Sequence, residues 1–165
     1  MRYIPLLLLT LTVGCVSKSP WQLESIASGE KQFDSARLSC CNTDSLSPLR
    51  LEFLRLDTNV ELYLSSMQYP FRSDTPDRKS VLVKFAIEGE PSFEQRLPLR
   101  EGRMRLHIPA TAQEKIAAAL SDGKEITVHV DDLHETFRPD YFSYLYDQFN
   151  SSAPLIRNPF KGPLE

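Results

Sequence analysis

Apolar and polar residues alternate with a period of two through most of the chain between residues 49 and 130. Successive side chains of a β-strand point to opposite faces of a sheet, so this period predicts strands with one buried face. Turn residues separate the segments and favour a meander of antiparallel strands. The apolar positions are Leu49, Leu51, Phe53, Val60, Leu62, Leu64, Val81, Val83, Phe85, Ile87, Met104, Leu106, Ile108, Ile126, Val128 and Val130.

The phase of the alternation assigns each strand residue to a face. We predict that Val83, Phe85 and Leu106 are buried, and that Lys84 and Arg105 are exposed. A shift of one residue would exchange the two faces, so the burial of these side chains tests the assignment.

Two segments outside the alternation have helical spacing. The apolar residues from Trp21 to Leu38 recur loosely at that spacing, interrupted at Gly29, and predict an N-terminal helix. Thr111 and Glu114 fit a capping box at the start of a helix that runs to about residue 120, and Asp122-Gly123 is typical of its end.

These elements predict a mainly β fold. We expect a small antiparallel β-sandwich or partly open barrel, with an N-terminal helix and one or two peripheral helices. The alternative is an α+β fold, in which helices cover one face of a single sheet.

The first residues have the pattern of a secretory signal. Arg2 supplies a positive charge, Ile4 to Val13 are almost all apolar, and the small residue Gly14 follows. The apolar stretch is shorter than the roughly 20 residues that a membrane-spanning helix needs. We therefore expect residues 1–14 to be a cleaved signal peptide.

The sequence around the expected cleavage site is Thr12-Val13-Gly14-Cys15. It resembles the bacterial lipobox, in which the cysteine receives a diacylglyceryl group, although Thr12 stands where Leu is commonest. The resemblance implies lipidation at Cys15 and attachment to a membrane, because several acyl chains anchor a protein durably. The residue after Cys15 is Val16 and not the acidic residue that signals retention at the inner membrane. This favours the periplasmic face of the outer membrane and leaves the inner membrane possible.

The size and charge of the remaining chain are those of one small domain. Of the 165 residues, we assign 15–20 to a lipidated tether, 21–149 to a single β-rich domain, and 150–165 to an extended or disordered tail containing several prolines. The net charge is −3, without a clustered basic run. This balance argues against a nucleic-acid partner.

Cys40 and Cys41 are the cysteines that remain after lipidation of Cys15. Neighbouring Cα atoms lie about 3.8 Å apart, less than the usual disulfide spacing of roughly 4.4–6.8 Å, so a bridge between them would be strained. They could still form this bridge, pair with another chain, or stay reduced and buried. A disulfide is favoured in an oxidising compartment, whereas a soft-metal site lacks further ligands at suitable spacing.

Aromatic residues are dense between Phe137 and Phe149. Tyr141, Phe142, Leu145, Tyr146 and Phe149 fall on one helical face, which predicts a helix packed on the core. Tyr144 lies off this face, near Arg138. Exposed Tyr141 and Tyr144 would suit a partner- or sugar-binding patch.

Candidate catalytic and metal sites are weak. His107 and His129 occupy the polar phase of their strands and are predicted to face solvent. The segment Asp131-Asp132-Leu133-His134-Glu135 groups carboxylates around an imidazole, yet it reads best as a solvated turn. No phosphate loop, nucleophile elbow or zinc-protease motif is found in the sequence. We expect no enzymatic activity, cofactor or metal.

Several segments in the middle of the chain form a pattern: Cys40-Cys41-Asn42-Thr43-Asp44-Ser45-Leu46, Leu49 to Leu56, Tyr69-Pro70-Phe71, Ser80, Phe85 and the later Phe137-Arg138-Pro139. This pattern resembles the maltose-operon periplasmic protein family. Lys79 stands where that family commonly has Gly. The resemblance implies a β-rich envelope protein without established enzymatic activity, and it assigns no sugar-binding residue to this chain.

The sequence is compatible with three functions. The leading hypothesis is a non-enzymatic, lipid-anchored lipoprotein that acts as an accessory, scaffold or partner-binding domain for an envelope protein or glycan. The alternative is a carbohydrate- or peptidoglycan-binding module that uses exposed aromatic side chains. An envelope hydrolase is the third, and it would need a polar cleft.

Overall fold

A computed structural model describes residues 19–26, 35–40, 47–56, 59–100 and 102–151. The described part contains nine strands and two helices. In chain order they are β1 (Trp21–Ile26), β2 (Ser35–Cys40), β3 (Leu49–Leu56), β4 (Asn59–Ser66), β5 (Ser80–Ile87), β6 (Phe93–Pro98), β7 (Arg105–Ile108), α1 (Ala110–Ser121), β8 (Ile126–Val130), β9 (Leu133–Phe137) and α2 (Phe142–Asn150).

The strands form two antiparallel sheets. Sheet A has five strands in the order β1-β2-β3-β4-β7, and sheet B has four in the order β6-β5-β8-β9. The buried apolar residues of both sheets and both helices belong to one cluster. The fold is therefore mainly β with a few helices, as the sequence predicted, and its strands lie in two separate sheets.

The phase predicted from the alternation is confirmed. Val83, Phe85 and Leu106 are completely buried, while Lys84 and Arg105 are exposed. Val83, Lys84 and Phe85 lie on β5, which pairs antiparallel with β6, and Arg105 and Leu106 lie on β7, which pairs antiparallel with β4. The core thus forms where the period-two apolar positions of the two sheets face inward.

Strand β9 lies along the ends of sheet A strands, and three hydrogen bonds mark its course. Near its start, the backbone N–H of Arg72, beyond the end of β4, donates to Asp131 Oδ2 (2.6 Å). Further along, Ser47, just before β3, donates to Glu135. Beyond its end, the Trp21 indole N–H donates to the Arg138 carbonyl (2.7 Å). These bonds join the two sheets at one edge.

Helix α2 packs its aromatic face on sheet A. The ring of Phe53 lies 5.6 Å from that of Phe142, 5.4 Å from that of Tyr146 and 6.5 Å from that of Phe149, between centroids. The predicted packing of these aromatic residues on the core is confirmed, with Phe142 and Phe149 fully buried.

The predicted N-terminal helix is wrong. Residues 21–26 and 35–40 are strands β1 and β2, which pair with each other, and β2 also pairs with β3. Apolar residues in both segments alternate with polar ones, and pairing satisfies the backbone groups that an exposed β3 edge would leave open. Tertiary pairing therefore outweighed the loose helical spacing. Gly29 lies between the strands, outside the described residues.

Helix α1 is confirmed, but its start differs from the prediction. Pro109 occupies the N-cap position and no side chain caps the helix, so the capping box of Thr111 and Glu114 is absent. The end is as expected: Gly123 adopts φ +80°, and the N–H groups of Gly123 and Lys124 donate to the carbonyls of Leu120 and Ala119. These two hydrogen bonds form a Schellman motif, which favours glycine at its left-handed position.

Candidate functional site

The described chain begins against the loop that leads into α2. Ser19 Oγ donates to the Asp140 carbonyl (3.1 Å) and accepts a hydrogen bond from the Trp21 N–H (3.1 Å). The Trp21 indole is fixed by the Arg138 carbonyl and by the edge of Phe142, whose centroid lies 4.7 Å away. We call the surface formed by Ser19, Arg138, Asp140, Tyr141 and Tyr144 the tether end.

The two candidate tyrosines, Tyr141 and Tyr144, are the most exposed large apolar side chains at the tether end. Tyr141 is 66% exposed and Tyr144 is 63% exposed. Tyr141 does not belong to the buried stripe, contrary to the helical-face prediction, because it lies at the N-cap of α2 with a left-handed backbone (φ 61°). The exposure required of a partner- or sugar-binding patch is met, while a ligand stays a prediction.

Cys40 is the one candidate cysteine within the described residues. It is buried at the end of β2, on the inner face of sheet A, and pairs in register with Trp21 and Leu51. Cys15 and Cys41 lie outside the described residues, so lipidation and every disulfide alternative stay predictions. The burial of Cys40 gives its side chain a place in the core.

The outer face of sheet A contains a polar network around Glu52, which sequence reasoning did not single out. Glu52 is 7% exposed although it occupies the polar phase of β3. Ser65 donates to Glu52 Oε2 (3.0 Å), and the guanidinium groups of Arg37 and Arg105 each lie 3.7 Å from the carboxylate. Long arginine side chains from β2 and β7 therefore cover a charge on the central strand β3.

The same face contains a second group of polar contacts around Tyr63. Its hydroxyl donates to Glu61, and this hydrogen bond to a carboxylate raises the pKa of Tyr63 above its usual value. The Arg105 guanidinium lies 3.8 Å above the Tyr63 ring, and the His107 ring lies 5.3 Å from it. Tyr63 is thus held as a hydrogen-bond donor beside a cation and an imidazole.

The histidines of sheet B form an exposed pair. His129 and His134 are cross-strand partners on β8 and β9, with ring centroids 5.8 Å apart and nearly parallel planes. The solvent-facing prediction for His129 is confirmed, while His107 is half-buried. Within the described ranges, no group of three or more His, Cys, Asp or Glu residues is arranged to hold a metal ion.

The acidic segment at 131–135 is a tight turn followed by a strand, and not a turn throughout. Asp131 and Asp132 form the turn, and Leu133 to Phe137 form β9. The inward position between Leu133 and Phe137 is taken by Glu135, which bonds to Ser47. Because Glu135 is polar, the apolar alternation that would have predicted strand β9 is interrupted in the sequence.

No family model, curated protein or solved structure matches this chain. The resemblance to the maltose-operon periplasmic protein family therefore stays a sequence-based prediction. Within the residues that the structure describes, neither helix has the length and apolar character needed to cross a membrane.

Proposed function

We propose that the protein is a non-enzymatic, lipid-anchored lipoprotein of the bacterial envelope, whose domain acts as an accessory or scaffold for another envelope component. The observation that carries the proposal is Cys15, directly after a small residue and a short apolar run with a basic start. Strand β1 begins at Trp21, which leaves a short tether between the anchor and the folded domain.

The contacts on sheet A support a binding role over a catalytic one. Glu52 accepts from Ser65 and is flanked by Arg37 and Arg105, so the carboxylate and the hydroxyl are engaged with their neighbours. A general base or nucleophile needs a group that can reach a substrate atom. A charged, internally bonded sheet face instead offers a stable surface for a partner.

The proposed address is the periplasmic face of the outer membrane. Val16 follows the anchor cysteine, where an acidic residue would favour retention at the inner membrane. A lipid anchor of two or three acyl chains would hold the domain there without a membrane-spanning helix.

Replacement of the anchor cysteine tests this function. We expect Cys15→Ser to accumulate as an unlipidated precursor and to be lost from the outer-membrane fraction, because the variant lacks the thiol that would receive the lipid. Cell fractionation, with intact mass for the lipid, measures both effects. The matched control Ser17→Ala should fractionate like the wild type. Normal processing and membrane attachment of Cys15→Ser would contradict the lipoprotein proposal.

A further inference from the structure

The position of Ser19 fixes where the chain leaves the folded domain toward Cys15. Its hydroxyl donates to the Asp140 carbonyl, and the next strand is held by the Trp21 indole on the Arg138 carbonyl. The exit point therefore lies beside residues 138–140, immediately before Tyr141 and α2.

The remaining chain between this exit and the proposed anchor is short. Four residue steps separate Ser19 from Cys15, and an extended chain spans at most about 3.3–3.6 Å per residue, which gives a reach of roughly 14 Å. A diacylglyceryl group places its cysteine at the membrane surface. The tether end thus stays within about that distance of the lipid headgroups.

Tyr141 and Tyr144 have the chemistry of a membrane interface. Tyrosine joins an apolar ring to a polar hydroxyl and is enriched where hydrocarbon meets water. Both rings are mostly exposed, while the neighbouring Phe142 is fully buried. Arg138 adds a largely exposed guanidinium, whose ion pair with Glu125 is long at 3.7 Å. A guanidinium matches the geometry of a lipid phosphate.

We propose that Tyr141, Tyr144 and Arg138 form a bilayer-docking surface that orients the anchored domain on the membrane. The inference rests on the proposed lipid anchor and adds a second, non-covalent contact to it. The far end of sheet A, with the exposed Leu56 of β3, then points away from the bilayer, because Leu56 lies at the opposite end of the sheet from Trp21.

Tryptophan quenching tests the docking surface in the full lipidated protein. Tyr141→Trp, Tyr144→Trp and the control Leu56→Trp are each purified from envelopes and reconstituted into phosphatidylethanolamine–phosphatidylglycerol vesicles that contain brominated acyl chains. The buried Trp21 supplies the wild-type background, which is subtracted. We expect the emission of the added tryptophan in Tyr141→Trp and Tyr144→Trp to shift to shorter wavelength when the protein is in vesicles. This emission should also be severalfold weaker in brominated vesicles than in vesicles without bromine. The added tryptophan of Leu56→Trp should show neither change. Circular dichroism verifies the fold of each variant.

Vesicle flotation separates failure of the anchor from failure of docking. Wild-type protein that does not float with the vesicles would overturn the proposed lipidation. Protein that floats while the variants at 141 and 144 keep unquenched emission would overturn the docking surface and leave the anchor intact. Docking would also be overturned if soluble peptidoglycan fragments, and not the brominated lipid, changed that emission, since the tyrosines would then bind glycan.

Discussion

Glu52 is a charged residue in the polar phase of β3 that is nonetheless almost fully covered. The covering groups come from neighbouring strands: Arg37 on β2 and Ser65 on β4, with Arg105 beyond them on β7. Burial of a carboxylate is costly unless hydrogen bonds and opposite charges compensate it. Glu52 therefore ties four strands of sheet A together through side chains as well as backbone bonds.

Neutralising Glu52 should weaken the protein more than neutralising an exposed partner of the same arginine. We expect Glu52→Gln to lower the free energy of unfolding by about 1–3 kcal/mol, because it leaves Arg37 and Arg105 without their shared carboxylate. Glu24→Gln, which removes the exposed ion pair with Arg37, should cost less than about 1 kcal/mol. Urea denaturation measures both. Equal losses would show that Glu52 acts as an ordinary surface charge.

Phe85 tests the core at the level of a single side chain. It is completely buried and stacks on Phe93 with centroids 5.1 Å apart. Truncation to Ala should cost about 3–5 kcal/mol through lost burial and the cavity left behind. The adjacent exposed Lys84→Ala should change stability by less than about 0.5 kcal/mol. If Phe85→Ala does not fold, Phe85→Leu supplies a smaller loss on the same denaturation curve.

At the scale of elements, the period-two pattern predicted the strands whose inward positions are all apolar. β5 and β8 follow it closely, and their inward residues are buried. The pattern failed for β9, because Glu135 interrupts the inward positions and its partner Ser47 is 88 positions distant along the chain. It also failed for β1 and β2, because β2 pairs with β3 and β1 pairs with β2. Such long-range partners cannot be read from local periodicity.

The candidate surface at the tether end was predictable in part. Tyr144 lies off the apolar stripe of α2, so its exposure follows from helical spacing. The exposure of Tyr141 depends on the left-handed backbone at the N-cap of the helix, which local sequence does not specify. The hydrogen bond from Ser19 to the Asp140 carbonyl joins residues 121 positions apart, so it could not be predicted from the sequence.

Glu90 connects the turn between β5 and β6 to α1 and to the loop between α1 and β8. Its carboxylate lies 2.8 Å from Lys124 Nζ and 3.6 Å from Lys115 Nζ. The hydrogen bond from Lys124 holds the pKa of Glu90 below its usual value. A carboxyl group whose pKa is lowered by folding stabilises the fold at any pH above its ordinary pKa. This contribution is lost as the pH falls through the lowered pKa.

The stability cost of Glu90→Gln should therefore depend on pH. We expect the variant to unfold at lower urea concentration than the wild type at about pH 7, and the difference between the two curves to disappear as pH falls through the lowered pKa of Glu90. Glu114→Gln is the control, because Glu114 is exposed on α1 and has no ion pair within the described residues. A difference for Glu90→Gln that persists at acid pH would mean that shape and not charge matters at this turn.

At the scale of the whole molecule, the two sheets and α2 meet around the single tryptophan of the chain. Trp21 begins β1, lies 6.3 Å from Phe53 of β3 and 4.7 Å from Phe142 of α2 between ring centroids, and bonds to Arg138 just after β9. One side chain thus contacts sheet A, the helix that covers it, and the segment that leaves sheet B. Its surroundings change if any of these parts separates from the others.

Trp21 should consequently report unfolding of the entire domain. We expect native emission at short wavelength with weak acrylamide quenching, because the indole is buried, and a shift to long wavelength on denaturation. The fluorescence transition in urea should coincide with that of far-UV circular dichroism, as it does when a domain unfolds in one cooperative step. Arg78→Ala, an exposed change far from Trp21 in sequence, should leave both curves superimposed. A fluorescence transition at lower urea than the dichroism would show that β1 and α2 detach first, and that the tether end is less stable than the core formed by the two sheets.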